Sequence, residues 1–128
     1  MKLLLDSHAF LWAIQSPEEL SDAAREALSD TSNELLLSLV TIWELQIKSD
    51  LGKLVLAKPL RELVDEEIES GRMTLLPNTP EHLYALSGLP LHHRDPFDRL
   101  LIAQAQVEAM PLVTKDENIP AYGVAILW

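Results

Sequence analysis

Four acids fall where apolar runs end or give way to helices. Asp6 directly follows Lys2-Leu3-Leu4-Leu5, and Glu44 closes Thr41-Ile42-Trp43-Glu44 just after Leu35-Leu36-Leu37-Ser38. Asp98 heads an apolar helix, and Asp116 comes two residues beyond Leu112-Val113-Thr114. If the apolar runs are strands of one parallel sheet, Asp6, Glu44 and Asp116 sit just past carboxyl ends, where such sheets bind ligands. Carboxylates gathered there repel and raise each other's pKa unless a cation neutralises them. An all-oxygen donor set suits a hard divalent ion, Mg²⁺ or Mn²⁺.

Each acid also has a local explanation. Asp6 can turn the chain or cap a helix, and Thr41 with Glu44 fits a Thr-x-x-Glu capping box. Asp95 is a good N-cap before Pro96, Asp98 in the first turn offsets the helix dipole, and Asp116 can simply be solvated. Capping alone does not explain why so many acids follow strand ends. Asp98 has the weakest geometry of the four, because a helix leading into a parallel strand is expected to start on the opposite edge. The imidazoles are poorer ligand candidates: His92 and His93 are adjacent and neither forms a His-x₃-His pair, while His8 and His82 are isolated. With four glycines there is no phosphate-cradling Gly-rich loop, no Gly-x-Ser-x-Gly elbow is present, and the absence of cysteine excludes thiolate chemistry and disulfides.

The elements that must position these acids alternate along the chain. Strands are expected at 2–5, 35–38, 73–77, 112–114 and 124–127. Helices are expected after Ser7 as cap, from the Ser16-Pro17-Glu18-Glu19 start signature, from Thr41 to about Gly52, from Pro59 to Ser70, from Thr79-Pro80, and from Asp95-Pro96 onward. Such alternation implies right-handed βαβ crossovers and a parallel sheet covered on both faces. The 128 residues, 48% hydrophobic and without a linker or repeat, read as a single domain spanning 1–128. No apolar run approaches the roughly 18 residues of a membrane span, and the Leu run that meets Asp6 reads as a strand rather than a signal peptide. Lack of cysteine is compatible with a cytoplasmic location. The net charge of −10 argues against nonspecific polyanion binding, although residues 40–61 are locally basic through Lys48, Lys53, Lys58 and Arg61.

These pieces resemble the PIN-domain ribonucleases, in particular the VapC-like toxins of bacterial VapBC toxin–antitoxin pairs. The resemblance rests on Leu5-Asp6-Ser7-His8-Ala9-Phe10-Leu11-Trp12, on Ser38-Leu39-Val40-Thr41-Ile42-Trp43-Glu44 with Ile47-Lys48, and on Gly52-Lys53-Leu54. It continues through His93-Arg94-Asp95-Pro96-Phe97-Asp98-Arg99-Leu100-Leu101-Ile102-Ala103-Gln104-Ala105, Thr114-Lys115-Asp116 and Leu127-Trp128. Ser7 stands where Thr is commoner, which keeps the hydroxyl. The resemblance implies a three-layer α/β/α fold around a central, mainly parallel sheet of about five strands, and a topology that brings the start of the Asp98 helix to the shared edge. It implies that Asp6, Glu44, Asp98 and Asp116 hold Mg²⁺ or Mn²⁺ and hydrolyse RNA phosphodiesters. Asp95, Thr114 and Ser7 are expected in auxiliary places, with Lys48, Arg94 and Arg99 as candidate RNA contacts. A VapB-like antitoxin and a homodimer are the implied partners. Two other readings remain: an inert PIN-like binding module, and another Mg²⁺-dependent phosphoryl-transfer enzyme on a similar fold. Against the latter, His8 replaces the second acid of an Asp-x-Asp phosphatase, and Asp6 lacks the paired acid of a receiver domain.

Overall fold

The computed structural model describes residues 1–128. Five strands form one parallel sheet: β1 (Lys2–Leu5), β2 (Glu34–Ser38), β3 (Met73–Leu76), β4 (Leu112–Val113) and β5 (Ile126–Leu127), in the order β3-β2-β1-β4-β5. Six α-helices join them: α1 (Ser7–Gln15), α2 (Asp22–Ser29), α3 (Leu39–Asp50), α4 (Leu60–Glu69), α5 (Pro80–Ala85) and α6 (Pro96–Val107). β1 lies between β2 and β4, so the strand order reverses there, and the crevice at that switch point opens at the carboxyl ends of β1 and β4.

The continuous Leu runs follow from burial on both faces. Leu3, Leu5, Leu35, Leu37 and Val113 point into one core with α1, α2 and α4; Leu4, Leu36 and Leu112 point into the other with α6. The two cores hold 16 and 15 buried residues, so neither face is left open. In register, Leu3 pairs with Leu35 and Leu4 with both Leu36 and Leu112. The expected three layers are therefore present.

The helix starts differ from their expected positions in three places. Asp6, not Ser7, caps α1, its carboxylate accepting from the Ala9 N–H at 2.8 Å; Ser7 is the first helical residue. Pro17–Glu19 forms only a 3₁₀ turn, because Leu20 returns to extended backbone, and α2 starts after Ser21 caps it. Ser38, not Thr41, caps α3, accepting from the Val40 N–H at 3.0 Å. Glu44 thus lies in the second turn of α3, free of any capping box, and the buried Thr41 hydroxyl has no partner. Asp95 caps α6 as expected, accepting from Phe97 at 2.8 Å and Asp98 at 3.3 Å.

The geometric objection to Asp98 also disappears. A crossover helix runs antiparallel to the strands, from the carboxyl edge of the sheet back to the amino edge where the next strand begins. α6 ends just before β4, so its N-terminus, with Asp98, lies at the carboxyl edge. The expectation of the opposite edge had this direction reversed.

Candidate active site

Asp6, Glu44, Asp98 and Asp116 line one cleft of about 500 Å³ at the switch point. Each is delivered by a separate element: the end of β1, the second turn of α3, the first turn of α6, and the loop after β4. Asp6 and Glu44 are buried, and Asp98 and Asp116 are partly buried. Ser7 and Asp95 line the same cleft. Thr114 is fully buried beneath it, its oxygen accepting from the Asp116 N–H at 3.0 Å and its hydroxyl helping to offset the rise in the Asp6 pKa.

Local hydrogen bonds hold the acids in place. The Ser7 hydroxyl donates to Glu44 Oε1 at 2.6 Å, tying the start of α1 to α3. Lys48, one turn after Glu44, donates to Oε2 at 2.6 Å. Burial raises the pKa of Asp6, against hydrogen bonds from Thr114 and Ala9 and the field of His8, while the Glu44 charge adds to the rise. Asp98 is pushed up to about 7, first by burial and then by Asp95 and Glu44; His93 opposes this and Asp116 reinforces it. Partial burial disfavours the Lys48 ammonium, but the attraction of Glu44, then of Asp95 and Asp98, raises its pKa.

His93 is the residue the sequence reasoning missed. Its Nδ1 accepts from the Asp95 N–H at 3.1 Å, which leaves the ring proton on Nε2. Nε2 then donates to Asp116 Oδ2 at 2.9 Å and faces Asp98 Oδ2 at 3.1 Å. The three ligand-type atoms lie within 4.8 Å of one another. In this tautomer His93 is a donor that draws the two carboxylates together. The available signal was its place two residues before the capping Asp95, where a loop turning into the helix returns its side chain to the first turn.

Of the three candidate RNA contacts, only Lys48 faces the cleft. The Arg99 guanidinium is engaged with the carbonyls of Leu89, Pro90 and His93 and with the Tyr122 hydroxyl, so it braces the loop that carries His93. Arg94 is exposed on a separate surface beside Leu91 and Pro96. Neither arginine is placed to meet a phosphate held at the carboxylates.

The donors suit a divalent cation. Four carboxylates converge in one cleft whose only lysines are Lys48 and Lys115, with hydrogen bonds from His93, Ser7 and backbone amides besides. The raised pKa of Asp98 reflects burial first and then the repulsion of its acidic neighbours. A hard cation with oxygen ligands answers it.

Known proteins share this arrangement of chain and fold. The PIN domain family model matches residues 3–125. Ribonuclease VapC22 of Mycobacterium tuberculosis is 31% identical over 121 residues, which span 94% of this chain and 91% of that protein. Among solved structures, VapBC2 from Rickettsia felis bound to a promoter DNA fragment superposes with a TM-score of 0.69 at 16% identity, covering 98% of this chain and 97% of that one. DNA-bound VapBC from Salmonella typhimurium gives a TM-score of 0.67 at 20% identity, covering 98% and 96%.

Proposed function

The chain belongs to the PIN domain family, and from that premise we propose that it is a metal-dependent endoribonuclease, the toxin of a toxin–antitoxin pair, with residues 1–128 as one domain. The observation that carries the reading is the convergence of Asp6, Glu44, Asp98 and Asp116 in one cleft, with Asp98 pushed up to about 7 by burial and by the acids around it. These four acids would hold Mg²⁺ or Mn²⁺, which when bound offsets negative charge at a phosphodiester and makes water a stronger nucleophile.

The residues around the acids then have distinct jobs. Ser7 fixes the orientation of Glu44, Thr114 that of the Asp116 loop and the Ala9 N–H that of Asp6. His93 holds Asp98 and Asp116 together. Lys48 lines the cleft as a cation for a substrate phosphate, and its pairing with Glu44 keeps it there in the meantime. Asp95 remains the cap that aims the start of α6.

No helix is long and apolar enough to cross a membrane, and we place the protein in the cytoplasm with its RNA substrate. An acidic cleft is also complementary to a basic side chain, which supports control by an antitoxin that inserts one where the cation would bind. We further place homodimerisation on the outer face of α3, where Leu39, Trp43, Ile47 and Leu51 form an exposed apolar row.

The deciding experiment uses protein purified free of antitoxin. It should cleave single-stranded RNA with Mg²⁺ or Mn²⁺ and be silenced by EDTA or by Asp6→Ala. Failure to cut any RNA, together with no divalent-ion binding by calorimetry, would overturn the reading in favour of an inert module.

A further inference from the structure

The cleft does not end at its carboxylates. Beyond Asp6 its wall is made by His8, Trp12 and Lys115, and Trp12 is the single hydrophobic residue in an otherwise polar lining. The exposed His8 ring lies 5.3 Å from Trp12 with an interplanar angle of 32°, and Trp12 in turn lies 5.6 Å from Trp128. The Lys115 ammonium sits 5.8 Å from the centre of the Trp12 ring. Helical spacing explains why His8 and Trp12 meet, since they are one turn apart on α1. It does not explain why this pair stands at the rim of an acid cleft, or why a lysine from the β4 loop hangs over it.

We propose that His8, Trp12 and Lys115 form a subsite for one unpaired nucleotide beside the reacting phosphate, with the base stacked on the His8–Trp12 pair and the neighbouring phosphate on Lys115. The occupant rests on the ribonuclease reading above. Every base has a flat face that an aromatic platform can take, whatever the sequence. A base within a duplex cannot offer that face, so the subsite selects single-stranded RNA. Charge points the same way. A chain of net charge −10 repels a phosphate backbone, and the only Lys or Arg side chains lining the cleft are Lys48, paired with Glu44, and Lys115, over Trp12. A strand laid between them crosses the carboxylates. Glu117 also borders this wing, so stacking rather than net charge must supply most of the affinity there.

The test is direct binding by the full chain of a fluorescein-labelled octauridylate RNA, followed by anisotropy with Ca²⁺ in place of Mg²⁺ and the RNA checked for integrity on a gel. His8→Ala, at an exposed position that leaves the core untouched, should weaken binding by about 5- to 150-fold, the range for losing one stacked base. Trp12→Leu should do the same, and His8→Ala keeps the test valid if that variant fails to fold. Lys115→Gln should flatten the dependence of log K on log salt by about 0.7, while Lys58→Gln, outside the cleft, should not. An octamer lacking its bases should bind the wild type and His8→Ala alike. Binding of the intact octamer that is indifferent to His8 and Lys115, no binding at all, or equal affinity for a duplex overturns the subsite. Cleavage in Mg²⁺ is scored separately. Cleavage with His8-indifferent binding leaves the ribonuclease reading standing and removes the subsite. Binding that depends on His8 without cleavage does the reverse.

Discussion

At the scale of single residues, the site is a problem of charge that the protein solves only in part. Asp98 has no hydroxyl or lysine of its own; it has the Nε2 of His93 and three acidic neighbours, and its pKa is pushed up to about 7. In the unfolded chain the same group titrates near the ordinary aspartate value of 3.8. The folded protein therefore holds the proton more tightly. Its advantage is intact below the unfolded value and is lost as pH rises from about 4 through about 7. Metal-free protein in EDTA should thus melt at a lower temperature at pH 8 than at pH 5, and Asp98→Asn, which cannot ionise, should shrink that difference. Scanning calorimetry at the two pH values decides it, and an unchanged difference would mean that Asp98 is already ionised at pH 5. The same substitution should lower RNA cleavage in Mg²⁺ by about two orders of magnitude or more, the consequence of weakening the hold on the ion. His93 makes a separate prediction. As a donor that brings Asp98 and Asp116 together, it should matter to metal affinity without ligating. His93→Ala should weaken Mn²⁺ binding by about 10- to 100-fold in calorimetry. The ring ¹⁵N shifts of His93 should show the proton on Nε2 in metal-free protein; a proton on Nδ1 would make His93 a ligand instead.

At the scale of elements, the local signals were sound in kind and misplaced by a few residues. Asp95-Pro96 opens α6 where the sequence says it should, because an N-cap and a proline in the first turn leave the chain no better start. Leu35-Leu36-Leu37 reads as a buried strand because both its faces are covered. Thr41-x-x-Glu44 reads as a cap and is not one, since Ser38 offers a hydroxyl earlier and the helix starts at the first workable position. The four acids could be named from the chain, but the hydrogen bonds between elements could not. No spacing reveals that Ser7 reaches Glu44 across 37 residues, or that Ser38 reaches Gln104 across 66. The second of these contacts joins two acid-bearing helices. The Gln104 carboxamide is fully buried on α6; it accepts from the Ser38 hydroxyl at 2.6 Å and donates to Asn78 at 2.7 Å. Ser38 in turn caps α3, which carries Glu44. Gln104→Leu removes both bonds and leaves the buried Ser38 hydroxyl without its acceptor, while the exposed Asn78 can turn to water, so urea unfolding should show a loss of about 1–3 kcal/mol. Retention of full stability would mean that core packing alone sets the relation of α3 to α6.

At the scale of the molecule, charge and apolar surface are separate features. The acid cleft gathers negative potential at the carboxyl edge of the sheet, where the proposed function puts a cation and then RNA. The apolar row on α3 is a contact surface of another kind. Leu39, Trp43 and Ile47 recur every four residues along α3, Leu51 continues the spacing at its C-cap, and the four are 41%, 58%, 36% and 63% exposed. Single exposed hydrophobics need no explanation, but an ordered row of four on one helix does. Trp43 is further held edge-on against Phe97 at 5.0 Å, at the head of the Asp98 helix, so the row is braced by α6. A second copy presenting the same row would cover it, and two-fold symmetry makes such a patch self-complementary. Two chains of net charge −10 repel one another, so association has to come from this apolar contact and should strengthen, not weaken, with added salt. Light scattering should then give twice the 14.4 kDa chain mass for the wild type and the single-chain mass for Trp43→Asp. The substitution places a carboxylate at the centre of a symmetric contact, where it meets its own copy. Because Trp43 lies on the outer face of α3 and Glu44 on the inner, the monomer should keep its fold and bind Mn²⁺ as the wild type does. A wild type that is monomeric at every concentration, in low and high salt, would leave the row for the antitoxin to cover.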